Sequence, residues 1–455
     1  MKAWMLLGAA LSAPAFAGNA DVAPDARYTH VLSPAGPLSR AALLKQGLPK
    51  AKRSTGAASA SARMSAASVP GSATYTYVRC YYRTGSGNTQ PSTDYVWALD
   101  PSSGDYYRLN GHWWGSGVFD WKNMFYSDVT QDALRSVCQS TLASKGIPQQ
   151  PAMVFAADNA LSFNYSVWSN DPAGQGSRIN KIIAFGDSLS DNQNVYNASQ
   201  WTLPNRNSWY IGHFSNGPVW VEYLASRLKL PLYNWAIGGA GVTTQQLVIP
   251  GVVQQVQSWQ QYMQQAPNYN PATTLFTMWI GGNDLVNYGS TPDKVIAGEQ
   301  QALTSLIQSG ARNILLLKLP DVSRAPVFQL KSGGAAVAAQ VLDLNQKLDA
   351  LAVSLRQQYG VNIQVFDSYA LFNDLLTNPA KYQVGNTTQS CLNINQDSSL
   401  NYMQTQSPRS NCGNADSFVF WDTLHPTTHT HMLLGNAVAD FLASSGALPA
   451  LAKAR

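Results

Sequence analysis

Ser188 follows a run of apolar residues that closes in a glycine. In Ile182-Ile183-Ala184-Phe185-Gly186-Asp187-Ser188-Leu189-Ser190-Asp191-Asn192 the pattern is that of a buried strand ending in a sharp turn. With the serine at a helix N-terminus, such a turn would expose a hydroxyl among backbone N–H groups. A serine after a strand also serves as a helix cap, so a nucleophile needs a base and an acid elsewhere. Asp422-Thr423-Leu424-His425-Pro426 supplies both, with a carboxylate three residues before an imidazole, near enough for one short turn to set the acid against the ring. Taken alone, these two residues read equally well as a capping Asp and a surface His. Serine is a poor nucleophile until a neighbouring base removes its proton, and an imidazole with an unperturbed pKa of about 6.5 is suited to that at neutral pH.

Two further glycine-bearing turns close apolar runs between these ends: Tyr233-Asn234-Trp235-Ala236-Ile237-Gly238-Gly239-Ala240 and Leu275-Phe276-Thr277-Met278-Trp279-Ile280-Gly281-Gly282-Asn283-Asp284. The order Gly-Asp-Ser, Gly-Gly, Gly-Gly-Asn-Asp, Asp-x-x-His resembles the SGNH (GDSL-type) hydrolase family. The resemblance implies Ser188 as nucleophile, His425 as general base and then acid, and Asp422 as the group fixing the imidazole tautomer. It also implies an oxyanion hole made by the Ser188 and Gly239 amides and the Asn283 side chain. Those donor types suit the task, because an amide N–H meets a developing oxyanion without adding charge and glycine lets the backbone come close.

The elements that must position these residues follow from the rhythm of the chain. From about residue 181, apolar runs at 182–185, 232–236, 274–280, 313–319 and 363–366 alternate with helical candidates such as 219–229, 294–308 and 335–358. Five such strands predict a parallel sheet between helix layers, with the motifs at strand C-terminal ends, where open α/β sheets bind ligands. The expected fold is α/β: a three-layer αβα sandwich with a five-stranded parallel sheet, flavodoxin-like as the SGNH resemblance implies, over residues 176–448.

Ahead of it, residues 73–175 read as a small, mostly-β accessory domain with a connector. Tyr75-Thr76-Tyr77-Val78-Arg79-Cys80-Tyr81-Tyr82-Arg83, Asp94-Tyr95-Val96-Trp97-Ala98-Leu99 and Asp105-Tyr106-Tyr107-Arg108-Leu109 are β-type runs split by turn signals. The aromatics of His112-Trp113-Trp114-Gly115-Ser116-Gly117-Val118-Phe119-Asp120-Trp121, with Phe125 and Tyr126, are expected chiefly as the core of this small domain, with a lipid interface or a sugar site as the competing reading. Gly212-His213-Phe214-Ser215-Asn216-Gly217-Pro218-Val219-Trp220 resembles the bacterial lipolytic branch that includes glycerophospholipid:cholesterol acyltransferases. Tyr77-Val78-Arg79-Cys80-Tyr81-Tyr82-Arg83-Thr84, Gly111-His112-Trp113-Trp114 and Asn123-Met124-Phe125-Tyr126 resemble the extra domain of thermolabile haemolysins. This resemblance implies a secreted bacterial phospholipase A, some of whose relatives transfer acyl groups. Some also lack the triad carboxylate, whereas Asp422 is present here.

The remaining composition narrows the setting. At 455 residues with 45% apolar and 11% aromatic content, the chain has ample material for two to three cores. Met1-Lys2-Ala3-Trp4-Met5-Leu6-Leu7-Gly8-Ala9-Ala10-Leu11, with Ala15-Phe16-Ala17, has the basic start, short apolar run and small-x-small site of a secretory signal, removed after residue 17. No other stretch reaches the length that a membrane-spanning helix needs. The formal charge of +5 is concentrated in an Ala/Ser-rich tail over 18–72, where Arg27, Arg40, Lys45, Lys50, Lys52, Arg53 and Arg63 face only Asp21 and Asp25. That tail reads as a disordered linker, a pro-segment or a tether to anionic lipid. The rest is near neutral, without the basic footprint of a nucleic-acid binder.

Four cysteines suit an exported chain, and local pairing as Cys80–Cys138 and Cys391–Cys412 is the economical choice of three connectivities. No Cys-x-x-Cys spacing favours zinc. His429 and His431 follow His425 closely, but Pro426 interrupts a continuous helix and no carboxylate completes a site, so neither metal nor other cofactor is expected. His213 is read as a group behind the site or simply a packed ring, and His30 and His112 carry no partner signal.

The expected activity is hydrolysis of glycerophospholipid acyl esters through an acyl-enzyme. A carbohydrate or short-chain esterase is the alternative within the same chemistry, and a non-catalytic lipid-binding haemolysin the alternative outside it. The polar insertion between about Lys381 and Asp416 is expected to border the active site and control lipid access, with Cys391–Cys412 keeping it ordered.

Overall fold

A computed structural model of the chain describes residues 74–114, 122, 124–157, 162–169, 179–245, 248–263, 266 and 269–444. The secretory-type leader, the 18–72 tail and the Gly115–Trp121 part of the aromatic stretch lie outside the described residues.

Alternating aromatic and β-branched residues build the first sheet. β1 (Thr74–Arg83) runs antiparallel to β2 (Thr93–Trp97), β3 (Leu109–Trp114) and β5 (Met153–Ala157). β4 (Met124–Ser127) continues from β3 and pairs in parallel with β6 (Ser166–Ser169). Across it lies α1 (Gln131–Ser144), capped by the Thr130 hydroxyl and burying Leu134, Cys138 and Leu142 at helical spacing. The bond from Cys80 to Cys138 ties β1 to α1. Of the described aromatics in this stretch, Phe125 and Tyr126 are buried; the partly buried Trp113 meets Phe125 and Tyr165 edge-on at 4.9 and 4.8 Å, and the exposed His112 stacks on Tyr126 at 4.7 Å. Tyr77, Tyr81, Tyr95 and Trp97 pack on Tyr196, Trp201, Tyr210 and Ile211 of the second module.

That second module is the five-stranded parallel sheet the sequence predicts. β7 (Lys181–Gly186), β8 (Leu232–Asn234), β9 (Thr274–Trp279), β10 (Asn313–Leu317) and β11 (Asn362–Phe366) stand in the order β11-β10-β9-β7-β8, the flavodoxin-like winding. All six residues of β7 and of β9 are buried, as the central strands of a sheet covered on both faces must be. The helices are α2 (Asn194–Ala198), α3 (Trp220–Leu228), α4 (Val252–Met263), α5 (Gly282–Val286), α6 (Pro292–Gln308), α7 (Gly334–Tyr359), α8 (Ser368–Thr377) and α9 (Thr428–Ser444). α3 packs with α9, while α4, α6 and α7 pack together, which gives the helix layers of an αβα sandwich. The insertion contributes β12 (Asn386–Ser390), paired in parallel with β13 (Phe418–Phe420). The bond from Cys391 to Cys412 closes the insertion just beyond β12.

Candidate active site

β7 delivers Ser188. Gly186 takes φ +155°, and a Cβ there would stand 2.6 Å from the Trp279 carbonyl of neighbouring β9, so the approach of the two strands requires glycine. The Asp187 carbonyl then accepts from the Ser190 and Asp191 amides at 3.0 and 2.9 Å, closing the turn that holds Ser188. This corrects the expectation of a helix N-terminus at the serine, since α2 begins only at Asn194. The Asp191 carboxylate takes the free amides instead, accepting from Gln193, Asn194 and Val195 at 3.0, 2.7 and 3.0 Å and from Gly238 across the gap at 2.8 Å. One side chain thus caps α2 and pins the nucleophile turn to the second glycine turn. Neither spacing nor a motif singled out Asp191 in the sequence.

The third turn gives Asn283, at the start of α5 after Gly281 at φ +108°. The Asn283 amide donates to the Ala240 carbonyl at 3.0 Å, and its oxygen accepts from Asn287 at 2.7 Å. This fixes which end of the amide is which and leaves its second N–H hydrogen for another acceptor. Tyr288 donates to the Gly239 carbonyl at 2.5 Å, tying the Gly239 turn, at φ +81°, to the segment just past the C-terminus of α5. Asp284 accepts from the Val242 amide, and burial raises its pKa to about 6. Burial likewise raises Asp187 to about 7.

His425 and Asp422 come from the short turn between β13 and α9. His425 Nε2 lies 2.8 Å from Ser188 Oγ, and its Nδ1 lies 2.9 Å from Asp422 Oδ2. Asp422 is fully buried and accepts from the Leu424 and His425 amides at 2.9 and 2.8 Å and from the Trp209 indole at 2.9 Å. Burial alone would push its pKa up, but His425 and these donors outweigh it and hold the carboxyl below its ordinary range. Phe214 packs on the imidazole at 4.8 Å and Tyr402 at 5.5 Å. Trp209 and Tyr402 are contacts that no motif spacing marked, and Phe214 lies in the Gly212–Trp220 phrase, which did not say what it touches.

The other histidines have separate partners. His213 donates from both ring nitrogens, to the Ile211 carbonyl at 2.7 Å and to Glu222 at 2.8 Å, so although burial opposes the charge, Glu222 raises its pKa above the ordinary value. His429 contacts the Tyr382 carbonyl and His431 Nδ1 accepts from the Trp220 amide. No group of three or more His, Cys, Asp or Glu among the described residues is placed to hold a metal ion.

Ser188, Asn283 and His425 open on a cavity of about 80 Å³ whose walls are almost wholly apolar, among them Leu189, Val286, Phe372, Phe420 and Leu434. A serine hydroxyl at a strand end of the parallel sheet, in hydrogen-bond reach of an imidazole and beside an apolar cavity, suits the class that the comparisons show: a carboxylic ester hydrolase on an α/β scaffold. Residues 182–438 match the GDSL-like Lipase/Acylhydrolase family, and residues 46–170 match the Vibrio dual lipase/transferase N-terminal domain, a match that starts within the stretch read as tail. The chain belongs to the GDSL-like lipase/acylhydrolase family. It is 46% identical over 364 residues to a thermolabile hemolysin of Vibrio parahaemolyticus, covering 79% of this chain and 85% of that protein. It is 26% identical to a phosphatidylcholine-sterol acyltransferase of Aeromonas hydrophila, over 58% and 91% of the two chains. An acetylesterase of Thermothelomyces thermophilus is also 26% identical, over 57% and 87%. No helix among the described residues is long and apolar enough to cross a membrane.

Proposed function

We propose that the protein is an exported phospholipase A that cleaves acyl esters of glycerophospholipids through an acyl-enzyme on Ser188. The observation that carries this reading is the 2.8 Å approach of His425 Nε2 to Ser188 Oγ at the rim of an apolar cavity. His425 takes the Ser188 proton as Oγ attacks the acyl carbonyl, while Asp422 holds the Nδ1–H tautomer and stabilises the imidazolium. The Ser188 and Gly239 amides and the Asn283 amide meet the developing oxyanion. The imidazolium then protonates the leaving glycerol oxygen, and water, or a sterol hydroxyl in acyl transfer, attacks the acyl-enzyme with His425 again as base. The apolar cavity suits an acyl chain, and the phospholipid substrate is supported by the names of the hemolysin and acyltransferase relatives. Export is supported by the leader pattern and by two disulfides, and an N-terminus at Gly18 in culture medium tests it.

The test is turnover of phosphatidylcholine vesicles, with and without cholesterol, read by mass spectrometry for free fatty acid, lysophospholipid and cholesteryl ester. Release from phospholipid is expected. Turnover of acetylated sugars alone would replace the reading with a carbohydrate esterase, and no turnover of any ester would leave a lipid-binding protein.

A further inference from the structure

Asp422 has two sets of hydrogen-bond donors besides the imidazole. The Leu424 and His425 amides belong to its own turn and would serve any Asp-x-x-His segment. The other set comes from far away. Trp209 Nε1 donates to Oδ2 at 2.9 Å from 213 residues earlier. The Tyr402 hydroxyl stands 3.3 Å from His425 Nδ1. The same ring nitrogen faces Asp422 Oδ2 at 2.9 Å, so the hydroxyl stands where the imidazole meets the carboxylate.

Trp209 and Tyr402 sit on one physical unit. The Asn205 amide and side chain donate to the Tyr402 and Met403 carbonyls at 2.8 and 3.0 Å. Ser208 donates to the Gln406 carbonyl at 3.0 Å and accepts from its amide at 2.6 Å. Trp209 packs in one apolar cluster with Cys391, Leu392, Ile394, Cys412 and Trp421, against which Tyr402 lies. The disulfide therefore belongs to the same buried cluster as the Trp209 ring.

We infer that Trp209 and Tyr402 are positioning residues for the acid of the triad, and that the insertion closed by Cys391–Cys412 is part of the catalytic apparatus. The inference rests on the triad reading above. It differs from lipid gating in one consequence: the insertion acts on the chemistry of every ester, small or aggregated. A buried carboxylate that loses a donor holds the imidazolium less firmly, and one hydrogen bond to a charged group corresponds to about 10-fold in rate.

Tyr402→Phe and Trp209→Phe, each keeping the ring, are measured on a short soluble p-nitrophenyl ester and on phosphatidylcholine vesicles. A fall of about 10-fold in kcat on both substrates with unchanged KM is expected. In an Asp422→Asn background neither substitution should lower kcat further, because its route of action is already cut. Cys391→Ser with Cys412→Ser should lower kcat by equal factors on both substrates. Unchanged kcat in Tyr402→Phe and Trp209→Phe, full additivity with Asp422→Asn, or a loss confined to vesicles in the cysteine variant would each overturn the inference. Ser188→Ala separates the two readings: if it stays active the triad reading fails, whereas if it is dead while the ring variants are normal, only the present inference fails.

Discussion

Ser188 stands at the end of a central strand of the parallel sheet, whereas Asp422 and His425 stand on a turn outside it. The Ser188 turn is held locally: β7 is buried along its whole length, Gly186 pairs closely with β9, and the Asp187 carbonyl and Asp191 carboxylate collect the local amides. The Asp422 to His425 turn follows β13, a strand of three residues in a two-stranded ribbon, and leans on side chains of the Trp209 loop and the insertion. One end of the site is a property of the sheet, and the other has to be assembled from segments distant in sequence. Single side-chain substitutions at the second end should therefore cost function with little cost to the fold.

The largest effect separates the ends by chemistry alone. Ser188→Ala removes one oxygen from a turn whose other bonds remain, so ester hydrolysis should vanish with an unchanged melting temperature. A residual rate above a few per cent of wild type would refute the nucleophile. At the opposite end, Asp422→Asn keeps the shape and loses the charge, and kcat should fall by roughly 10⁴-fold as for triad carboxamides in general. Near-normal turnover would mean that another group orients His425.

Asn283→Ala should fall less steeply, by about 100- to 1000-fold in kcat, because two backbone donors remain. An unchanged kcat would remove Asn283 from the oxyanion role. The two disulfides sharpen the comparison further. Breaking Cys80–Cys138 or Cys391–Cys412 should each destabilise by roughly 3 to 4 kcal/mol on the chain-entropy model, but only the second belongs to the buried cluster of Trp209. At a temperature where both variants are folded, only the Cys391→Ser, Cys412→Ser protein should lose kcat, and equal turnover in the two would dissolve the distinction.

The smallest effect concerns Glu299, buried in α6 with Oε2 unpartnered among the described residues. Burial, with Asp284 nearby, raises its pKa to about 8 from an ordinary 4.5. The folded state therefore holds a proton that the unfolded chain releases. Its stabilising contribution is complete below the unfolded pKa and is lost as pH rises towards and through the folded one. Glu299→Gln, which is always neutral, should leave the melting temperature at pH 5 nearly unchanged and raise it by a few degrees at pH 9 relative to wild type, with kcat unaffected. A melting difference that is flat across pH would show that Glu299 is not protonated in the fold.

Sequence alone determined what depends on near neighbours. The five strands are short apolar runs that a doubly covered parallel sheet must bury, and their glycine-bearing ends mark where Ser188 and Asn283 emerge. The Asp422 to His425 spacing lies within one turn, and local pairing of four cysteines left little choice. Tertiary structure decided that Ser188 sits on a hydrogen-bonded turn, because the Asp191 carboxylate, drawn to four amides including Gly238, delays the helix to Asn194. It also decided that Trp209, Phe214 and Tyr402 surround His425 and Asp422. Neither periodicity nor a motif marks Trp209 or Tyr402, since an indole finds a buried carboxylate and a phenol its imidazole only after two segments some 200 positions apart have folded against each other.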